Sequence, residues 1–156
     1  MNDFEMLLSD VFEEVPVLEG SILEDGYAGL YRDGRIYLEK KLDTLEKKEV
    51  LAEEYCHHKT SVGDIINYED FQNRKQEIKA WRMALEMLVP LDKLIECSFA
   101  GCTTKYDCAD YLDVTVLTLE DALQHYTNKY GLVHLHKGYI LHFNGDSAFV
   151  VNTGLQ

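Results

Sequence analysis

The stretch Leu51-Ala-Glu-Glu-Tyr-Cys-His-His58 decides how this chain is read. Asp43 stands three residues before Glu46, the spacing of a capping box, so a helix is expected from Thr44 to about His58. Residues four apart share a helix face, so Glu53 and His57 can reach one ion. Glu54 follows one residue on, rotated by about 100°, close enough to hold a water beside that ion. This is the geometry of H-E-x-x-H, in which two histidines bind metal and the glutamate is the general base. Here Glu53 stands where the first histidine would be. A competing register pairs Glu54 with His58, but it puts Tyr55 in the base position and leaves the water without a proton acceptor. The Glu53–His57 register is preferred, with His58 behind the ligands or at the surface.

Working outward, Ser61-Val-Gly-Asp64 ends this helix, and Asn73 with Gln76 caps a second one expected over Arg74 to Val89, stopped at Pro90. Glu77, in its first turn, is the best third ligand. It precedes Ile78, Trp81, Leu85 and Leu88, whose spacing lets them pack against the first helix. A plainer reading treats Glu53 and Glu54 as a solvated face paired with Lys47, Lys48 or Lys59, contributing little stability.

Upstream, Asp33-Gly34 separates two aliphatic-aromatic runs within Gly29 to Glu39, a strong hairpin signal. Residues 3–25 read as a helical start followed by irregular structure. Downstream, a short helix over Leu91 to Phe99 is followed by one capped by Thr104 and Asp107, running to about Leu112. Another, capped by Thr118 and Asp121, ends at Gly131. The period then changes, and 132–136, 139–143 and 148–152 read as strands, the last two joined around Asn144-Gly145. This order implies an α+β fold with a small, mostly antiparallel sheet packed on the helices. A single domain over 1–156 is expected, with a catalytic core at 25–100, a helical pair at 103–131 and C-terminal strands at 132–156.

Composition narrows the function. The formal charge is −13, and the first thirty residues carry eight carboxylates without a Lys or Arg. Such a surface repels a phosphate backbone, so no direct nucleic-acid binding is expected. Lys105 to Gly131 has the outline of a helix-turn-helix, yet residues 103–131 hold only Lys105 and Lys129 against Asp107, Asp110, Asp113, Glu120 and Asp121. That balance favours packing or protein recognition over DNA reading. Cys56, Cys97, Cys102 and Cys108 include no C-x-x-C pair, and a C-x4-C-x5-C spacing fits the usual zinc knuckles poorly. With an acidic start unlike a signal peptide and no bilayer-length apolar run, reduced thiols and a cytoplasmic location are expected.

Several segments together resemble the ImmA/IrrE family of metallopeptidases, in particular its phage and mobile-element members. They are Leu51-Ala-Glu-Glu-x-x-His57-His58, Lys75-Gln-Glu-Ile-Lys-Ala80, Met87-Leu-Val-Pro90 and Ala109-Asp-Tyr-Leu-Asp-Val114, with the hairpin before them and the helix ending at Tyr130-Gly131. The resemblance covers about residues 25–143. It implies a gluzincin-like fold in which Glu54 is catalytic and His57 and Glu77 are ligands. Glu53 takes the first histidine's place, and Cys56 stands where glycine is common; it reads as packing. It also implies Zn2+, with Mn2+ a rival because an extra oxygen donor favours a harder ion. Two carboxylates and a neutral imidazole would bring a divalent site close to neutrality. The expected reaction is metal-assisted hydrolysis, with Tyr130, His134, His136 and His142 as candidate oxyanion donors. The implied substrate is a helix-turn-helix transcriptional repressor. A repressor-binding module without activity and a DNA-binding regulator are the alternatives.

Overall fold

The structure, a computed structural model, describes residues 1–21, 27–60, 70–145 and 147–154. The elements run α1 (Asp3–Phe12), β1 (Val17–Gly20), β2 (Gly29–Arg32), β3 (Arg35–Glu39), α2 (Thr44–Thr60) and α3 (Asp70–Leu88). They continue with α4 (Leu91–Phe99), α5 (Lys105–Leu112), α6 (Val116–Tyr130), β4 (Val133–His136), β5 (Tyr139–Asn144) and β6 (Ser147–Asn152). Two compact units, Met1–Ala84 and Leu85–Gln156, divide the chain.

In the first unit, Asn2 and Glu5 form a capping box that opens α1, with the Glu5 N–H donating to Asn2 Oδ1 at 2.8 Å. β2 and β3 form the expected hairpin, and Asp33 (φ 53°) and Gly34 (φ 72°) supply the positive dihedrals of its tight turn. β1 lies on the other side of β3, parallel to it, with Val17 opposite Ile36 and Glu19 opposite Leu38. This strand falls within the segment expected to be irregular. A four-residue run holding Glu19 and Gly20 carries no local signal, and its partner is non-local. Phe4, Val11, Val15, Val17, Ile36, Leu38 and Leu51 form the core beneath the sheet.

The cap of α2 is as expected, the Glu46 N–H donating to Asp43 Oδ1 at 2.8 Å. Lys48, Leu51, Ala52 and Cys56 make its buried stripe. The Ser61–Asp64 stop lies outside the described residues. α3 starts at Asp70, about a turn before the expected Asn73 cap, so Asn73 is a helical residue.

In the second unit, Thr104 caps α5, its hydroxyl accepting from the Asp107 N–H at 3.1 Å. α6 begins earlier than its Thr118–Asp121 signal suggests. The cap is Thr115, which accepts from the Thr118 N–H at 3.1 Å, and Thr118 is buried in the first turn. A threonine cap without an acidic residue three positions on is the weaker motif in sequence, yet it stands two residues after Asp113, whose left-handed φ of 55° ends α5. β4, β5 and β6 form an antiparallel meander. Leu141 and Phe143 of β5 are buried and Phe143 stacks on Tyr126 of α6, whose hydroxyl donates to the Val89 carbonyl at 2.7 Å.

The fold is therefore α+β, but among the described residues one expected sheet is replaced by two of three strands each, the first mixed and the second antiparallel. The hairpins at either end of the chain belong to different units. Among the described residues no helix is long and apolar enough to cross a membrane.

Candidate metal centre

α2 carries Glu53, Glu54 and His57 at half-buried positions, one helical step away from the stripe that faces the core. A carboxylate that loses part of its hydration holds its proton more tightly unless a cation or donors compensate. Burial pushes the Glu54 carboxyl up to about 7, helped by the charges of Glu53 and Glu77 and opposed by a hydrogen bond from the Tyr31 backbone. Glu53 is raised as well, first by burial and then by Glu77, with His57 acting the other way. Glu53, Glu54 and Glu77 thus lie within one another's fields, and His57 is close enough to act on Glu53.

The hairpin creates this environment. Gly29 of β2 lies so near α2 that a Cβ there would sit 2.3 Å from Val50 Cγ1 and 3.2 Å from Glu54 Cγ. The close approach takes water from around Glu54 and brings the Tyr31 backbone to its carboxylate. Neither Gly29 nor Tyr31 stands out in sequence as part of a site, because the signal is an inter-element distance.

Glu77 is exposed. Of the apolar residues after it on α3, Ile78 is 51 % exposed, whereas Ala80 and Ala84 are fully buried. Those alanines lie three and seven positions beyond Glu77, on its own face. Of the expected packing positions Leu85 and Leu88 are buried, Trp81 is half-buried and only Ile78 faces outward, with Ala80 and Ala84 completing the inward side of α3.

His58 has separate company. Its Nδ1 is 2.9 Å from the Tyr31 hydroxyl, its ring packs against Tyr31 and Tyr55, and Glu14 is 3.9 Å from Nε2. The lysines available to neutralise a plain acidic face turn to the N-terminal segment: Lys47 to Glu19 (3.1 Å), Lys48 to Asp3 (3.4 Å) and Lys59 to Glu14 (2.7 Å). Cys56 is fully buried and its thiol is pushed up to about 11 by burial and by Glu53, which makes it an inert packing group. The oxyanion candidates also have local partners: His134 stacks on Tyr130, His136 meets Asp92 at 2.8 Å and His142 stacks on Phe149.

Oxygen and nitrogen donors, half-buried at Glu53, Glu54 and His57 and exposed at Glu77, fit a divalent cation in type and in charge. Among the described residues, however, no group of three or more His, Cys, Asp or Glu side chains is gathered around one point as a ligand set.

The family model for the IrrE N-terminal-like domain, a peptidase family, matches residues 16–124. The chain belongs to that family, and membership supports a metallopeptidase-type function in general. No curated protein and no solved structure matches the chain.

Proposed function

We propose that this chain is a gluzincin-like, metal-dependent endopeptidase of the phage or mobile-element branch, with Glu54 as general base and Glu53, His57 and Glu77 as ligands of one Zn2+ or Mn2+. The observation that carries this reading is the half-buried Glu54 carboxyl on α2, near enough to Glu53 and Glu77 to feel their charges, in a chain of a peptidase family. A carboxylate adjacent to Glu53 and within one helical turn of His57 is placed to take a proton from an attacking water and return it. When bound, the ion would supply a Lewis acid that polarises the scissile carbonyl. Glu54 accepts a proton from the attacking water through a carboxylate oxygen and passes it to the leaving amide nitrogen. The Tyr31 backbone holds that carboxylate in place, and β2 limits water around it. Metal analysis of wild type, H57A and E77A tests the ligand set. Stoichiometric retention of the ion by both variants would overturn it.

The proposed substrate is a transcriptional repressor encoded with the protein on a mobile element, acted on in the cytoplasm. A surface of net charge −13 suits a partner with a basic DNA-binding domain. Direct DNA binding through α5 and α6 is disfavoured, since Lys105 and Lys129 meet Glu120 and Glu86 at 3.6 and 2.8 Å. One observation favours a second reading, a repressor-binding module that does not cut. Among the described residues no group of three or more His, Cys, Asp or Glu side chains forms a ligand set. A metal-loaded protein that binds a repressor without cleaving it would establish that module.

A further inference from the structure

Three of the four cysteines, Cys97, Cys102 and Cys108, line one cavity of about 320 Å3 in the second unit. Cys97 lies in the last turn of α4, Cys108 in the first turn of α5 and Cys102 in the connection between them. The Cys97 and Cys108 Sγ atoms are 2.8 Å apart, and Cys102 lies close enough to act on the Cys97 thiol. The Cys102 N–H reaches the Cys97 carbonyl at 3.4 Å, which holds the connection against the end of α4. All three thiols are free; Cys97 is 2 % exposed, whereas Cys102 and Cys108 are half-buried.

Apolar side chains, among them Leu94, Leu119, Leu141 and Phe149, supply much of the remaining wall. Three thiols gathered at one cavity, two of them with sulfur atoms 2.8 Å apart, make thiol–disulfide exchange available here. Burial, followed by the neighbouring thiols, holds Cys97 well above the ordinary thiol range, and burial raises Cys108 too. Direct attack by either on an external oxidant is therefore slow. Cys102 lies beside Cys97 and outside the helices, which makes it the entry point.

We propose that Cys97 and Cys108 are a redox modification site, joined as an intramolecular disulfide by exchange with a small-molecule disulfide that enters through Cys102. Cys102 attacks the external disulfide, forming a mixed disulfide and releasing one small thiol. Cys97 attacks the Cys102 sulfur, forming a Cys97–Cys102 bond and releasing the second small thiol. Cys108 attacks the Cys97 sulfur, and Cys102 leaves as a free thiol. In sum, two protein thiols are oxidised to one disulfide, one external disulfide is reduced to two thiols, and the protons of Cys97 and Cys108 pass to those thiols. The product ties the end of α4 to the start of α5 across the cavity. This site does not depend on the peptidase reading.

The test is to incubate reduced full-length protein with oxidised glutathione, quench with a thiol alkylator, and follow intact mass and peptide maps over time. Wild type should lose two hydrogen atoms without a lasting glutathione adduct, and the map should link Cys97 to Cys108. C97S should stop at glutathione on Cys102. C102S should form the Cys97–Cys108 link more slowly by at least about tenfold, because its attacking thiol is gone. A lasting adduct on the wild type, or a final bond other than Cys97–Cys108, overturns the site. A C102S rate equal to that of wild type overturns the relay. The wild-type map decides the site whether or not the variants fold.

Discussion

Glu54 is a carboxyl whose surroundings work against its charge. Replacing it with Gln removes the proton acceptor and leaves the proposed ligands in place, so E54Q should bind metal nearly as wild type does while losing cleavage of a cognate repressor. Purified E54Q that still cleaves would move the base elsewhere. The same group sets a pH dependence in metal-free protein. A carboxyl that binds its proton more tightly in the fold stabilises the fold while protonated. That contribution is complete below the ordinary value of 4.5 and is lost as pH rises through about 7. Urea unfolding with a chelator should show wild type weakening across this window by about 3 kcal/mol at most, and E54Q weakening less. Parallel profiles would show that Glu54 is not the group responsible. Glu53 tests ligand chemistry. E53H exchanges a hard oxygen donor for nitrogen and adds one unit of charge, so metal competition should move towards zinc over manganese, provided the imidazole coordinates.

At the scale of elements, the contact between β2 and α2 creates the site's environment. Gly29 is the residue that permits it, since an added Cβ would overlap Val50 and press on Glu54. G29A should destabilise the protein by about 1–3 kcal/mol, the range for overpacking a close contact. It should also reduce the proposed peptidase activity more than a loss of folded protein explains, because Glu54 must shift. Denaturant midpoints and activity per folded molecule separate the two effects. The ends of elements show where sequence patterns succeed. Asp43 and Thr104 cap their helices as their spacing suggests, because a side-chain cap is a local contact. Thr115 and Thr118 compete for one helix start, and the left-handed Asp113 just upstream decides in favour of Thr115.

At the scale of the whole molecule, net charge governs encounter more than fold. If the partner is a basic repressor, its association rate should fall by about tenfold or more between low salt and about 0.5 M salt, while dissociation changes less. Stopped-flow binding across salt concentrations checks this, and a flat rate would mean that the acidic surface does not steer the partner. The sequence by itself determined the α+β class, the Asp33-Gly34 hairpin, the caps of α2 and α5, and the helical spacing that sets Glu53, Glu54 and His57 side by side. These follow from contacts a few residues apart. Only the tertiary structure decided the rest. It made β1 a parallel partner of β3, split the strands into two sheets, turned Ala80 and Ala84 rather than Ile78 inward, and gathered Cys97, Cys102 and Cys108 at one cavity. It also brought β2 over Glu54 and raised that carboxyl. The physical reason is common to all of these. Burial and non-local pairing depend on which surfaces meet, and a window of sequence carries only the chain's side of each contact.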